Sequence, residues 1–167
     1  MIIYLDMDDV VADWYGEAQN LLGMRWKNHH ERIPPEDWDQ LKQNSRFYRN
    51  LPLKEGAREL VEWVCLYVIR NAPDADVRFL TALPRGDDMP WAVYDKVMWA
   101  QDYFPNIPVF IGPYSTDKWK HCKPGDILID DRTDNCEQWE NAGGHAHIYR
   151  NWEECKQWLE ELLEVKF

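Results

Sequence analysis

Ile2-Ile3-Tyr4-Leu5-Asp6-Met7-Asp8-Asp9 sets an unbroken, β-rich apolar run directly against a group of carboxylates. A short apolar run without alternation reads as a strand buried on both faces, as in the middle of a parallel sheet. The arrangement recurs at Val77-Arg78-Phe79-Leu80 before Thr81 and at Ile127-Leu128-Ile129 before Asp130-Asp131. Pro108-Val109-Phe110-Ile111, stopped by Gly112-Pro113, and Ala146-His147-Ile148-Tyr149 supply two further strands. Between them the spacing turns helical. Val10, Val11, Trp14, Ala18, Leu21 and Leu22 share a face as far as Gly23, and Ala57, Leu60, Val61, Val64 and Val68 share one from Gly56. Helices are also expected over 90–104, 134–142 and 152–164. Strands alternating with helices of this length indicate βαβ units. The expected fold is therefore α/β: an open parallel sheet of about five strands flanked by helices. Residues 24–55 carry Pro34-Pro35, much charge, and Trp26, Trp38, Phe47 and Tyr48 scattered among polar residues. With no strand pattern there, they read as short helices and loops forming a small accessory layer.

The composition narrows the function. At 167 residues the chain is long enough for one domain with a sizeable core. Its 19 Lys and Arg against 30 Asp and Glu leave a formal charge of −11, which argues against a nucleic-acid polymer as partner. A small phosphorylated substrate held by a metal ion and one or two cations stays open. No stretch of 18 apolar residues suggests a membrane span, and Met1–Asp9 lacks the basic start of a signal peptide, so a cytoplasmic location is expected. Cys65, Cys122, Cys136 and Cys155 form no CxxC pair and read as thiols.

In open parallel sheets ligands bind beyond the carboxyl ends of the strands. Asp6, Asp8, Thr81, Asp130 and Asp131 all close expected strands. Four carboxylates brought to one edge repel one another, at about 4 kcal/mol per pair 4 Å apart at an effective dielectric of 20. A hard divalent cation relieves this, and an oxygen-only donor set suits Mg²⁺. Asp9 and Asp13, taken singly, read as turn or N-cap residues. His29, His30, His145 and His147 lack the further ligands of a metal site and read as structural or solvent-facing.

These residues carry a family resemblance. Asp6-Met7-Asp8-Asp9-Val10-Val11-Ala12-Asp13 resembles the DxDx[T/V] signature of the haloacid dehalogenase-like (HAD) phosphohydrolases, and most of all the DMDGVLAD form of the 5′(3′)-deoxyribonucleotidases. Phe47-Tyr48 with Leu51-Pro52-Leu53 and Gly56-Ala57 is similar to that family's FF…LxPxPGA segment. Trp99 through Tyr103-Phe104 resembles its helix ending in KYF, Asp117-Lys118 its RDK, and Asp130-Asp131-Arg132 its DDR. Thr81 stands where its second motif has Thr. There are two departures: Asp9 replaces the usual Gly, with its side chain expected to point away from the site, and Ala82 replaces a Ser that would add a hydroxyl toward phosphate.

The resemblance implies a catalytic core of residues 1–14 and 57–167, with 15–56 as a small, mainly helical cap inserted after the first strand. It implies Asp6 as nucleophile and Asp8 as acid and base, with Thr81 and Lys118 on the transferring phosphoryl group. Mg²⁺ would take Asp6, the Asp8 backbone carbonyl, and Asp130 or Asp131. Phe47, Tyr48, Thr81, Ala82, Lys118 and Arg132 would meet the substrate, with Arg132 on the phosphate or bracing the site, and Trp26 and Trp38 left to the core. The expected activity is Mg²⁺-dependent hydrolysis of (deoxy)ribonucleoside monophosphates. A phosphatase of another small metabolite and a silent phospho-ligand-binding module compete with it. The expected partner is a small nucleotide, without membrane or nucleic-acid polymer, and a homodimer stays open.

Overall fold

The computed structural model describes residues 1–23, 33–85 and 89–163. Five parallel strands form one sheet: β1 (Ile2–Leu5), β2 (Asp76–Thr81), β3 (Val109–Ile111), β4 (Ile127–Asp130) and β5 (His145–Ile148). Their order is β3-β2-β1-β4-β5, with β1 pairing Leu5 to Phe79 on one side and to Ile129 on the other. The chain winds outward from β1 to β3 in one direction, then returns to β4 beside β1. The switch point thus falls between β1 and β4.

The strand side chains divide as a pleat requires. Ile3, Leu5, Val77, Phe79, Ile127 and Ile129 enter the main core, while Tyr4, Leu80 and Leu128 pack on the other face against Trp139. The main core is completed by α1 (Trp14–Leu22), α3 (Ala57–Asn71), α4 (Ala92–Tyr103) and α6 (Trp152–Leu162). Trp139 comes from α5 (Thr133–Asn141), which covers the opposite face. Gly56 precedes α3 with φ of 77°, and a Cβ there would lie 2.7 Å from the Cβ of Trp152. Only glycine serves both needs.

The first helix starts later than its spacing suggests. Val10 and Val11 are buried, yet they belong to a compact turn in which Val11 N and Ala12 N donate to Met7 O. The same loop docks on the segment before α3, through Asp13 N to Pro52 O and Lys54 N to Val11 O, both 2.9 Å. Those long-range bonds occupy groups a helix would need. Asp13 then caps α1, accepting from Gly16 N, and Leu21 is exposed rather than buried. β5 sits one residue earlier than its pattern implies, at His145–Ile148.

Of the accessory segment, α2 (Pro35–Lys42) and a 3₁₀ turn at Tyr48–Asn50 are described; Trp26, His29 and His30 lie outside the described residues. The segment is tied to α4: Trp99 Nε1 donates to Leu51 O at 2.7 Å, Arg46 pairs with the buried Asp95, and Arg49 pairs with Asp102 at 2.5 Å. Cys65, Cys122, Cys136 and Cys155 are free thiols. No helix among the described residues is long and apolar enough to cross a membrane.

Candidate active site

The last rung between β1 and β4 fixes the site. Asp6 N donates to Ile129 O at 2.8 Å, so Asp6 emerges beside Asp130 and Asp131. One carboxylate oxygen from each of the three lies within 4.8 Å of the others. Lys118, from a 3₁₀ helix at Ser115–His121, places its buried Nζ 2.8 Å from Asp6 Oδ2 and 2.6 Å from Asp130 Oδ2.

The two neighbouring acids of the DDR segment are bonded differently. Asp130 is fully buried, and besides Lys118 it accepts from Asn135 Nδ2 at 2.9 and 3.0 Å and from Arg132 N at 3.0 Å. Asp131 instead lines the cavity above. Burial, reinforced by Asp130, Asp6 and Asp9, holds its carboxyl well above the usual range, with Lys118 offsetting part of the effect. Burial likewise pushes Asp6 up to about 7; Lys118 opposes the shift, and Asp130 and Asp8 add to it. For Lys118 burial favours the neutral amine, but Asp130 and Asp6 outweigh it and hold the ammonium above its ordinary value.

A second buried cation was not legible as a site residue. Lys96, on α4, donates to Asp8 Oδ2 at 2.6 Å and to Thr81 Oγ1 at 2.9 Å, and its ammonium lies 4.5 Å from the centre of the Tyr48 ring. Thr81 is fully buried at the end of β2 and lies beneath the cavity rather than in its lining. Its hydroxyl is engaged with Lys96, which differs from the direct phosphate contact expected of it. Asn135 and Ser115 are also additions: Ser115 Oγ lies 2.7 Å from Asn135 Oδ1, which orients the amide that holds Asp130.

Above these groups opens a cavity of about 780 Å³, within the roughly 300–1,000 Å³ of small-molecule sites. Asp6, Asp8, Asp131 and Lys118 form its floor, Ala82 and Arg132 part of its wall, and Trp14, Trp38, Tyr48 and Tyr114 its aromatic surface. Phe47 is not in the lining. It is buried, 5.7 Å from Trp14 and 5.4 Å from Tyr48 between ring centres, and supports those two rings from below. Trp38, expected in the core, packs against it and also meets the cavity. Arg132 turns its guanidinium to Asp134, with contacts of 3.1 and 2.9 Å, so it stands braced at the mouth. Asp9 adopts φ of 59°, the left-handed region that explains why glycine suits this position. Asp9 belongs to the lining, and its carboxylate accepts from Tyr15 N at 2.9 Å and faces Lys54 at 3.5 Å.

The described site, then, presents carboxylates at strand ends, two buried ammonium groups and an aromatic roof. A family model described as 5′ nucleotidase, deoxy (pyrimidine), cytosolic type C protein matches residues 1–161. Among solved structures, a hydrolase from Streptococcus pneumoniae TIGR4 is similar at 16% identity and a TM-score of 0.53, covering 98% of each chain. The HAD-hydrolase YfnB from Bacillus subtilis, bound to magnesium, is similar at 12% identity and a TM-score of 0.59, also over 98% of each chain. At such identities the likeness shows the fold. No curated protein sequence matches.

Proposed function

Because the chain belongs to the cytosolic type C 5′-nucleotidase (deoxy, pyrimidine) family, and is thereby a hydrolase of the HAD fold, we propose that it hydrolyses (deoxy)ribonucleoside monophosphates to nucleoside and phosphate in a Mg²⁺-dependent reaction. The observation that carries this reading is the meeting of Asp6, Asp130 and Asp131 over Lys118 at the switch point of the sheet.

The donor set fits Mg²⁺. Asp6, Asp8, Asp130 and Asp131 bring more carboxylates together than the ammonium groups of Lys96 and Lys118 pair with. A divalent ion relieves that excess of carboxylates, and the donors are hard oxygens. Asp6 and Asp131 would hold the ion, with the Asp8 carbonyl. Asp130, already saturated by Lys118, Asn135 and Arg132 N, instead fixes Lys118. When bound, the ion neutralises the carboxylates so that an anionic phosphate can enter, and polarises the phosphoryl oxygens.

The chain's own residues then do the following. Asp6 attacks phosphorus, forming an acyl phosphate as the bond to the sugar oxygen breaks. Asp8 gives its proton to that oxygen, releasing the nucleoside. Asp8, now a carboxylate, takes a proton from water, whose oxygen attacks the same phosphorus and frees Asp6 and inorganic phosphate. Lys118 holds Asp6 in line and adds positive charge where the phosphoryl group arrives. Residues 15–56 act as the cap, with Trp38 and Tyr48 offering ring faces to the nucleobase. A stacked base is worth about 1–3 kcal/mol. The family description supports a cytosolic setting.

Phosphate release from nucleoside monophosphates and sugar phosphates, with and without exhaustive chelation, tests the reading. Nucleotides should exceed sugar phosphates by roughly tenfold or more in kcat/KM, and chelation should abolish both activities. Acid quenching should trap phosphate on Asp6. Full activity in chelator would refute the metal requirement, and equal turnover of both classes would point to a phosphatase of another metabolite.

A further inference from the structure

We propose that Lys96 is a positioning residue for the acid and base chemistry of Asp8, an inference that rests on the phosphomonoesterase reading above. Lys96 lies on α4 and is 1% exposed, yet its ammonium reaches two elements of the sheet edge. It donates to Thr81 Oγ1 at the end of β2 and to Asp8 Oδ2 beyond β1. The ring of Tyr48 covers it at 4.5 Å.

This geometry assigns the two oxygens of Asp8 different parts. A lysine ammonium has three donors and no acceptor, so Asp8 Oδ2 and Thr81 Oγ1 must both accept from it. Asp8 Oδ2 is thereby fixed. Oδ1 is buried without a hydrogen-bond partner among the described residues, so Lys96 alone among them holds this carboxylate by hydrogen bond. Among the described residues Lys96 is also the one ion-pair partner of the Asp8 carboxylate, whose side chain is the most exposed of the floor carboxylates paired with lysine, at 28%. Thr81 becomes the anchor of the lysine, which accounts for a fully buried hydroxyl that does not line the cavity. An Asp8 free to rotate misplaces the proton even when substrate is bound, and proton transfer by a positioned group is worth about 10²–10⁴-fold.

The test compares two leaving groups. A nucleoside oxygen needs a proton as it departs, whereas p-nitrophenolate departs without one. We compare kcat/KM for a nucleoside monophosphate and for p-nitrophenyl phosphate in Lys96→Met, with Asp8→Asn as the reference for lost acid catalysis. Lys96→Met should lose about a hundredfold on the nucleotide and at most tenfold on the aryl phosphate, following Asp8→Asn in direction. The circular dichroism spectrum should match that of the original protein. A purely structural role would reduce both substrates alike. Equal losses, or less than a threefold loss on both while Asp8→Asn stays selective, would overturn the role of Lys96 and leave the function standing. An Asp8→Asn variant that is not selective would overturn the acid role of Asp8, and this inference with it. Lys96→Gln, a neutral side chain one bond shorter, carries the comparison should the methionine variant fail to fold. Failure of both to fold would make Lys96 a structural residue and refute the proposal.

Discussion

Replacing Asp130 and Asp131 one at a time by Asn separates the neighbouring acids by what each is bonded to. Asp130 is fully buried and receives Lys118 Nζ at 2.6 Å, together with Asn135 Nδ2 and Arg132 N. Removing one partner of a buried ion pair costs about 3–5 kcal/mol. Lys118 would keep Asp6 at 2.8 Å, so the lower end, about 3 kcal/mol, is the expectation. In a chain of this size 1 kcal/mol moves Tm by about 2–4 °C, so Asp130→Asn should lower Tm by roughly 6–12 °C in chelator. Asp131 is in the opposite situation. Burial and the adjoining carboxylates disfavour its charge, so Asp131→Asn should leave the chelated protein as stable as before or more so. What that variant should lose is the response to metal. An ion at one hundred times its Kd adds about 2.7 kcal/mol, or roughly 5–11 °C, and most of that rise should vanish. Melting curves of both variants with and without Mg²⁺ decide the matter. An Asp131→Asn protein with the original Mg²⁺ response, or an Asp130→Asn protein that melts with the original in chelator, would refute the division of roles.

In chelator, stability should fall as pH rises from about 4 to about 7. The raised carboxyls of Asp6, at about 7, Asp9, at about 6, and Asp131 keep more protons on the folded chain than on the unfolded one. Saturating Mg²⁺ should flatten that slope, and a Tm that climbs with pH in chelator would contradict the sign. Phe47→Ala should cost about 3–5 kcal/mol, because it empties a buried site beneath Trp14 and Tyr48. Trp38→Ala, at the cavity surface, should raise KM for nucleotides severalfold with a smaller fall in Tm; the reverse pattern would return Phe47 to the substrate. Asp9→Asn should keep the acceptor for Tyr15 N and the tolerated left-handed backbone, so hydrolysis should stay within about an order of magnitude. A larger loss would mean that the charge of Asp9 takes part.

The centre of the sheet was legible because β1 and β4 are buried on both faces, and both faces therefore had to be apolar. Ile2–Leu5 and Ile127–Asp130 leave no other reading at that length. The start of α1 was not. Val10 and Val11 are as buried as helical spacing implies, but burial does not distinguish a helix from a docked turn. The difference lies in backbone partners at Met7, Pro52 and Lys54, two of them some 40 residues away in sequence. Spacing along a chain carries no trace of bonds across it.

The same limit governed the site. Strand-end carboxylates were found because a parallel sheet must gather them at one edge, and Lys118 because it follows a strand with a recognisable motif. Lys96 follows no strand. It sits on a helix, where charged side chains ordinarily face water, and that expectation hid it. Its phase, however, is that of Ala92, Asp95, Trp99 and Ala100, all of them buried. A charge that shares a helix face with such residues must find a counter-charge on another element, since burying it unpaired is prohibitively unfavourable. Asp95 finds Arg46 in the accessory segment, and Lys96 finds Asp8 at the sheet edge. A charged residue in register with an apolar stripe is therefore a statement about distant sequence. Among the described residues the partner of Lys96 is Asp8, at the strand ends also marked by Asp6, Asp130 and Asp131, and phase along the helix does not by itself specify it.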